Sequence, residues 1–182
     1  MSIKVLVFFA TGFEEIEALA PVDILRRAGY DVTMVSVLDQ IQVSSSRNVT
    51  VVADATIDEV DFLDIDLIVL PGGAPGTQNL DKSSKLKELI ISHYKSEKLI
   101  AAICAAPTIL GKMGLLQGLN ACCYPGCEAD LIGANVLDDR LVVDRNIVTA
   151  RGAGVSVDFG LKLVEILDGK VKADELRKKM IA

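Results

Sequence analysis

The chain has 182 residues, enough for one substantial core and too few for two ordinary domains, so residues 1–182 read as a single domain. Twenty-five acidic residues against nineteen basic ones leave a formal charge of −6, which argues against a nucleic-acid partner. Apolar residues make up 51% but are broken by charge throughout, so no membrane span is expected; in the expected cytoplasmic setting the four cysteines read as thiols.

A first buried strand is predicted near 3–9. It is too short for a signal peptide and runs toward Glu14 and Glu15 rather than a small-residue cleavage site. A helix near 14–28 opens with Glu14, Glu15 and Glu17, as a helix N-terminus favours. Its apolar and charged residues occupy more than one face, too many for burial against one sheet. After a strand near 31–37, Gln42 to Val51 reads as a short hairpin decorating an edge. The strand near 66–70 runs into Pro71-Gly72-Gly73, where two glycines permit close backbone approach and free amides, a cradle for an oxyanion or carboxylate. A helix near 82–95 is amphipathic, and the only histidine, His93, is assigned to its water-facing side.

The strand near 98–103 ends on Cys104, and a helix near 105–113 follows, with Pro107 in its first turn. Alanines 101, 102, 105 and 106 leave room for a sharp elbow. A thiol facing a helix N-terminus has its anion stabilised, which predicts a pKa well below about 8.5. Cysteine is also a common small core residue, and the segment alone leaves both readings open. Further strands are predicted near 119–123 and 146–150, with a second edge hairpin turning at Asp138-Asp139-Arg140, and helices near 155–168 and 170–180. Such alternation builds an α/β sandwich around a mostly parallel sheet. The ends of three strands then bring an acid, a diglycine and a thiol to one edge, where open parallel sheets place their sites.

Neither Gly152-Ala153-Gly154 nor Gly72-Gly73-Ala74-Pro75-Gly76 completes a nucleotide-binding spacing, so no cofactor is expected. The cluster Cys122-Cys123-Tyr124-Pro125-Gly126-Cys127 lacks paired Cys-x-x-Cys hooks and a nearby histidine, so no metal is expected either. Its cysteines read as unpaired thiols, with Cys123 or Cys127 as a resolving partner for Cys104 the alternative.

The runs Ala10 to Glu17, Pro21 to Gly29, Ser46-Arg47, Leu70 to Gly73, Ala101 to Pro107 and Arg151 to Gly154 resemble, in order, the ThiJ/PfpI superfamily and within it the DJ-1 branch. The resemblance implies a flavodoxin-like (Rossmann-like) three-layer sandwich with Cys104 as the reactive thiol at a nucleophile elbow. It implies Glu17 as a buried acid bonded to that thiol, and backbone donors at Gly72, Gly73 and Ala105. Arg27 and Arg47 match arginines near the dimer interface and site mouth of relatives, ordinary surface charge being the alternative. A homodimer through the first helix, with Glu15, Ile16, Leu19 and Asp23, is implied as well.

One departure concerns Tyr124-Pro125, where glyoxalase and deglycase relatives often carry His-Pro. A phenol donates a hydrogen bond but is a poor base near neutrality, so Tyr124 is expected to orient substrate only. Ala105 stands where the protease-like branch has a histidine, which removes the dyad a peptidase needs. Three readings follow: an enzyme acting on reactive dicarbonyls or their adducts, a redox sensor whose Cys104 is oxidised, and a chaperone or structural dimer. The expected partner is a small carbonyl compound or an oxidant.

Overall fold

In a computed structural model that describes residues 2–182, the chain begins with β1 (Lys4–Phe9), α1 (Glu15–Arg27) and β2 (Asp31–Ser36). The hairpin β3 (Gln42–Ser44) and β4 (Thr50–Val52) follows, then β5 (Ala55–Thr56), β6 (Leu67–Leu70), α2 (Ala74–Asp81), α3 (Ser84–Lys95), β7 (Leu99–Ile103) and α4 (Pro107–Lys112). The chain continues through β8 (Asn120–Ala121), β9 (Asn135–Val136), β10 (Leu141–Asp144), β11 (Ile147–Ala150), α5 (Ser156–Asp168) and α6 (Lys170–Met180). Seven strands form one sheet in the order β10-β11-β7-β6-β1-β2-β5, parallel except for the β10–β11 pair. With helices on both faces this is the three-layer flavodoxin-like α/β architecture.

The period-two geometry of strands sorts the apolar runs into two cores. Val5, Val7 and Phe9 of β1 and Leu99, Ala101 and Ile103 of β7 face one way, against residues of α1, α5 and α6 such as Val22, Phe159 and Leu176. Leu6, Phe8, Ile100 and Ala102 face the other way, against Leu86 and Ile90 of α3 and Ile109 and Leu110 of α4. Both faces are covered, which is why these strands are continuously apolar. Helix α1 lies against α5 at a close approach: a Cβ on Gly160 would sit 2.7 Å from Ile24 Cδ1. Pro21 lies inside α1 and has no N–H for the carbonyl of Glu17, one turn earlier.

Several expectations need correction. The first hairpin is not at a sheet edge. It forms a separate two-stranded ribbon laid over the start of α1, joined by bonds from Gly12 N–H to Ser44 O (2.8 Å) and Ser46 N–H to Phe13 O (2.8 Å). Glu15 ties down its tip by accepting from Ser45 Oγ, Ser46 Oγ and the Arg47 N–H. The second hairpin is β10–β11, turning at Arg145 and Asn146, with Arg145 at φ 52°; Asp138 to Arg140 precede it. The strand near 119–123 shrinks to β8, which pairs with β9 outside the main sheet, and the Cys122 N–H bonds the Thr149 hydroxyl instead of a strand partner. Helix α2 carries no helix signal in the sequence, because Pro75 and Gly76 stand in its first turn. Pro75 is tolerated in its first turn, and Gly76 is required because a Cβ there would lie 2.7 Å from the Phe13 backbone.

His93 is 4% exposed, not solvent-facing. With Leu86, Leu89 and Ile90 it completes an i, i+3, i+4, i+7 stripe, so the helical period puts it on the buried face. Burial, and then the Lys98 charge, push its pKa down to about 4.

Among the described residues no helix is long and apolar enough to cross a membrane. Replacing Gly160 by Leu forces bulk into the α1–α5 contact. We expect a loss of about 1–3 kcal/mol in urea-unfolding stability, the usual cost of overpacking.

Candidate active site

The thiol is positioned by a break in strand geometry. Beyond Ile103 the chain turns left-handed at Cys104, with φ 64°, a region that non-glycine residues seldom occupy. Two backbone bonds hold it there: Cys104 N–H donates to Ala150 O (2.8 Å), and Tyr124 N–H donates to Cys104 O (2.7 Å). The torsion cancels the strand alternation, so Cys104 packs on the same side as Ile103, against the α1–α5 core. Ala101, Ala102 and Ala106 are fully buried, and larger side chains would fill the space of the turn.

Glu17 reaches this thiol from the first turn of α1. Glu14 caps the helix by accepting from the Glu17 N–H (2.8 Å), and the Glu17 side chain, 1% exposed, points inward. Its Oε2 accepts from the Gly72 N–H (3.0 Å), its carboxylate bonds the Cys104 thiol, and the Ala153 N–H adds a further donor. Burial pushes the Glu17 pKa up to about 7, against the hydrogen bonds. Burial and the Glu17 carboxylate together push the Cys104 thiol up, to about 12, while the Gly73 and Ala105 amides act the other way.

The expectation of an acidic thiol is corrected at this point. Helix α4 starts only at Pro107 and has six residues, so little macrodipole faces the sulfur. A buried carboxylate beside it outweighs two amides. Carrying the thiol proton to Glu17 removes the negative charge that opposes a thiolate.

Gly73 and Ala105 supply the amides near sulfur, whereas the amide of Gly72 is taken by Glu17. Gly72 has a steric role instead. A Cβ there would lie 2.6 Å from both Cys104 Cβ and Glu17 Oε2, so any side chain would separate the pair. Gly73 adopts φ 95° and packs on the backbone of residues 12–14. Gly152 lies under the Tyr124 ring, and a Cβ there would be 3.4 Å from that ring and 3.7 Å from Glu17 Oε1. Tyr124 is 52% exposed, so its ring stands at the solvent side of the acid. The run Arg151 to Gly154 carries part of the family resemblance, but the placing of Gly152 and Ala153 beside Glu17 depends on the turn after β11.

Arg27 is not near this centre in its own chain. It sits ten residues beyond Glu17 on α1, about 15 Å along the axis, and pairs with Asp23 at 2.6 Å on the surface. Arg47 is exposed at the hairpin tip, where its N–H bonds Glu15 (2.9 Å). Cys123 and Cys127 pack against the α3–α4 core, so the sheet separates them from Cys104 and neither is placed to resolve it. Among the described residues no group of three or more His, Cys, Asp or Glu side chains is arranged to hold a metal ion.

Comparison with known proteins matches residues 3–166 to the model of the DJ-1/PfpI family. Protein dj-1beta of Drosophila melanogaster is 39% identical over 183 residues, spanning 100% of this chain and 98% of its own. A Caenorhabditis elegans relative described as glutathione-independent glyoxalase DJR-1.2 is 33% identical, over 91% of this chain and 88% of its own. The solved structure of oxidized Toxoplasma gondii DJ-1 superposes with a TM-score of 0.95 at 39% identity, covering 99% of this chain and 98% of that one.

A carboxyl whose pKa is raised by folding stabilises the protein below its ordinary value of 4.5, and that contribution is lost as pH rises through 7. The shift corresponds to about 3 kcal/mol. We expect urea-unfolding midpoints of the wild type to fall across this window, and those of Glu17→Gln to lack that component.

Proposed function

From the premise that this chain belongs to the DJ-1/PfpI family, we propose that it is a cysteine-dependent protective enzyme acting on reactive dicarbonyls or their adducts, in the manner of a glyoxalase or deglycase. The observation that carries this reading is the buried Glu17 carboxyl hydrogen-bonded to Cys104 at a strained turn. The name of the Caenorhabditis elegans relative supports the substrate class.

Glu17 takes the thiol proton, and the Cys104 thiolate attacks the aldehyde carbon of a 2-oxoaldehyde to give a hemithioacetal. The new oxyanion lies next to the amides of Gly73 and Ala105, the donors nearest sulfur. Glu17, with a pKa near neutrality, returns the thiol proton to that oxyanion. As a carboxylate it then moves the proton of the former aldehyde carbon to the neighbouring carbonyl oxygen, giving an enediol, and carries the proton of the first hydroxyl to the second carbon, giving a thioester. The aldehyde carbon is oxidised and the adjacent carbonyl carbon reduced, so no external electron acceptor is needed. Water opens the resulting thioester, releasing a hydroxy acid and the thiol. With a glycated amine as substrate, the amine is the leaving group. Tyr124 orients the substrate oxygen from the solvent side.

A second reading is favoured by the Toxoplasma gondii relative, whose structure is described as oxidized: Cys104 is then the site of redox sensing without steady turnover. The assembly we propose is a homodimer through α1, whose Ile16 is 55% exposed beside Glu15, Leu19 and Asp23. Light scattering at micromolar concentration is expected to report a dimer, and Ile16→Lys to shift it toward monomer.

Methylglyoxal turnover tests the chemistry. We expect Cys104→Ser to be inactive and Glu17→Gln to lose about 10²–10⁴-fold, the range for a general acid–base group. Tyr124→Phe is expected to cost about 1–2 kcal/mol in transition-state stabilisation, the scale of one hydrogen bond. No turnover by the wild type, with Cys104 oxidised by peroxide, would replace the enzymatic reading by the redox one.

A further inference from the structure

Cys123 and Cys127 pack in the core opposite that of Cys104, and the members of the cysteine cluster are not equivalent. Cys122 is fully buried, with its backbone N–H on the Thr149 hydroxyl. Cys123 belongs to the α3–α4 core, and Cys127, half-buried, packs against that same core. Between them Tyr124-Pro125-Gly126-Cys127 forms a β-turn closed by Cys127 N–H to Tyr124 O (3.0 Å), with Gly126 at φ 93°. Proline followed by a glycine of positive φ is the pattern of a type II turn. The chain therefore folds back at once and returns Cys127 to the side of the loop that Cys123 occupies. The Cys127 thiol is near enough to oppose ionisation of Cys123.

Cys123 also lines a cavity of about 160 Å³ together with Glu128, Val136, Leu137, Asp138 and Arg151. A molecule the size of water or hydrogen peroxide fits this space. Beside the sulfur lie Glu128 and the Arg151 guanidinium, which is paired with Asp138, so this wall of the core is polar.

We propose that Cys123 and Cys127 are a second redox site, a dithiol that a small hydroperoxide converts into an intramolecular disulfide independently of Cys104. Cys123 Sγ attacks one peroxide oxygen, and the O–O bond breaks. The thiol proton leaves with the departing hydroxide as water, and a sulfenic acid remains. Cys127 Sγ then attacks Cys123 Sγ, the S–O bond breaks, and the hydroxyl departs as water with the Cys127 proton. Two thiols are oxidised to one disulfide and one peroxide is reduced to two waters. The cross-link closes the turn that begins at Tyr124, whose N–H holds the Cys104 carbonyl, and so ties this second redox state to the backbone of the elbow. Burial raises both thiols, so the reaction quickens as pH rises.

The sequence provides a clean assay. Trypsin releases Met113–Arg140, which contains Cys122, Cys123 and Cys127 and excludes Cys104. After hydrogen peroxide and alkylation, we expect this peptide from the wild type to be two hydrogens lighter before alkylation, to take one alkyl group instead of three, and to regain three after dithiothreitol. Fragment ions should leave Cys122 as the alkylated residue. The cross-link should persist in Cys104→Ser and Cys122→Ser and vanish in Cys123→Ser and Cys127→Ser. Three alkylatable thiols after peroxide, added oxygen without a cross-link, a bridge to Cys122, or dependence on Cys104 would each overturn the proposal. Loss of dicarbonyl turnover leaves this readout unaffected, so the two proposals fail separately.

Discussion

The left-handed turn at Cys104 is held by one backbone bond to the end of β11 and another from Tyr124, 2.8 and 2.7 Å long. A non-glycine residue in this conformation costs on the order of 1–3 kcal/mol and persists where its surroundings over-determine it. Here those surroundings are the parallel register of β7 with β11, which brings Ala150 alongside Ile103, and the chain leaving β8. The same torsion turns the sulfur toward α1. Without it, strand alternation would send Cys104 to the α3–α4 side, away from Glu17.

Once the sulfur faces α1, the site becomes a problem of one proton and two acids. Glu17 is buried so completely that its charge is disfavoured, yet Gly72, Ala153 and Cys104 all offer hydrogen bonds to it. The outcome is a carboxyl poised near neutrality, where a group that must both give and take a proton works best. Gly72 sets how near the two acids lie, since any side chain there would occupy the space between them. Helix α1 keeps its acid in place through the Gly160 contact with α5 and through the hairpin tied to Glu15. Burial works against ionisation of Glu15, and the bonds from Ser45, Arg47 and Ser46 overcome it, so this carboxyl stays below its usual range. Glu15 and Glu17, two residues apart on one helical turn, are thus pushed in opposite directions by their surroundings.

The sheet also separates two kinds of thiol. Cys104 shares the α1–α5 side with an acid and its bound amides. Cys123 and Cys127 share the α3–α4 side with aliphatic neighbours and a small cavity. Near the site the two sides meet through a backbone hydrogen bond, from the Tyr124 N–H to the Cys104 carbonyl.

The apolar runs 3–9 and 98–103 determined the central parallel strands by themselves, because burial on both faces demands continuous apolar sequence. The diglycine after Leu70 and the alanines around Cys104 marked the places where backbones crowd. Pattern also held the information on His93, whose spacing from Leu86, Leu89 and Ile90 is that of a buried stripe, although its polar identity argued the other way. Other features had no local signature. Strand β5, the β8–β9 pair and the proper turn of β10–β11 are short pieces fixed by neighbours distant in sequence, and α2 depends on Gly76 fitting against Phe13. The pKa of the thiol belonged to the tertiary structure alone. Helix-terminus reasoning counts local amides, whereas the largest influences on Cys104 are burial and a carboxylate brought from residue 17, long-range contributions that only the folded chain assembles.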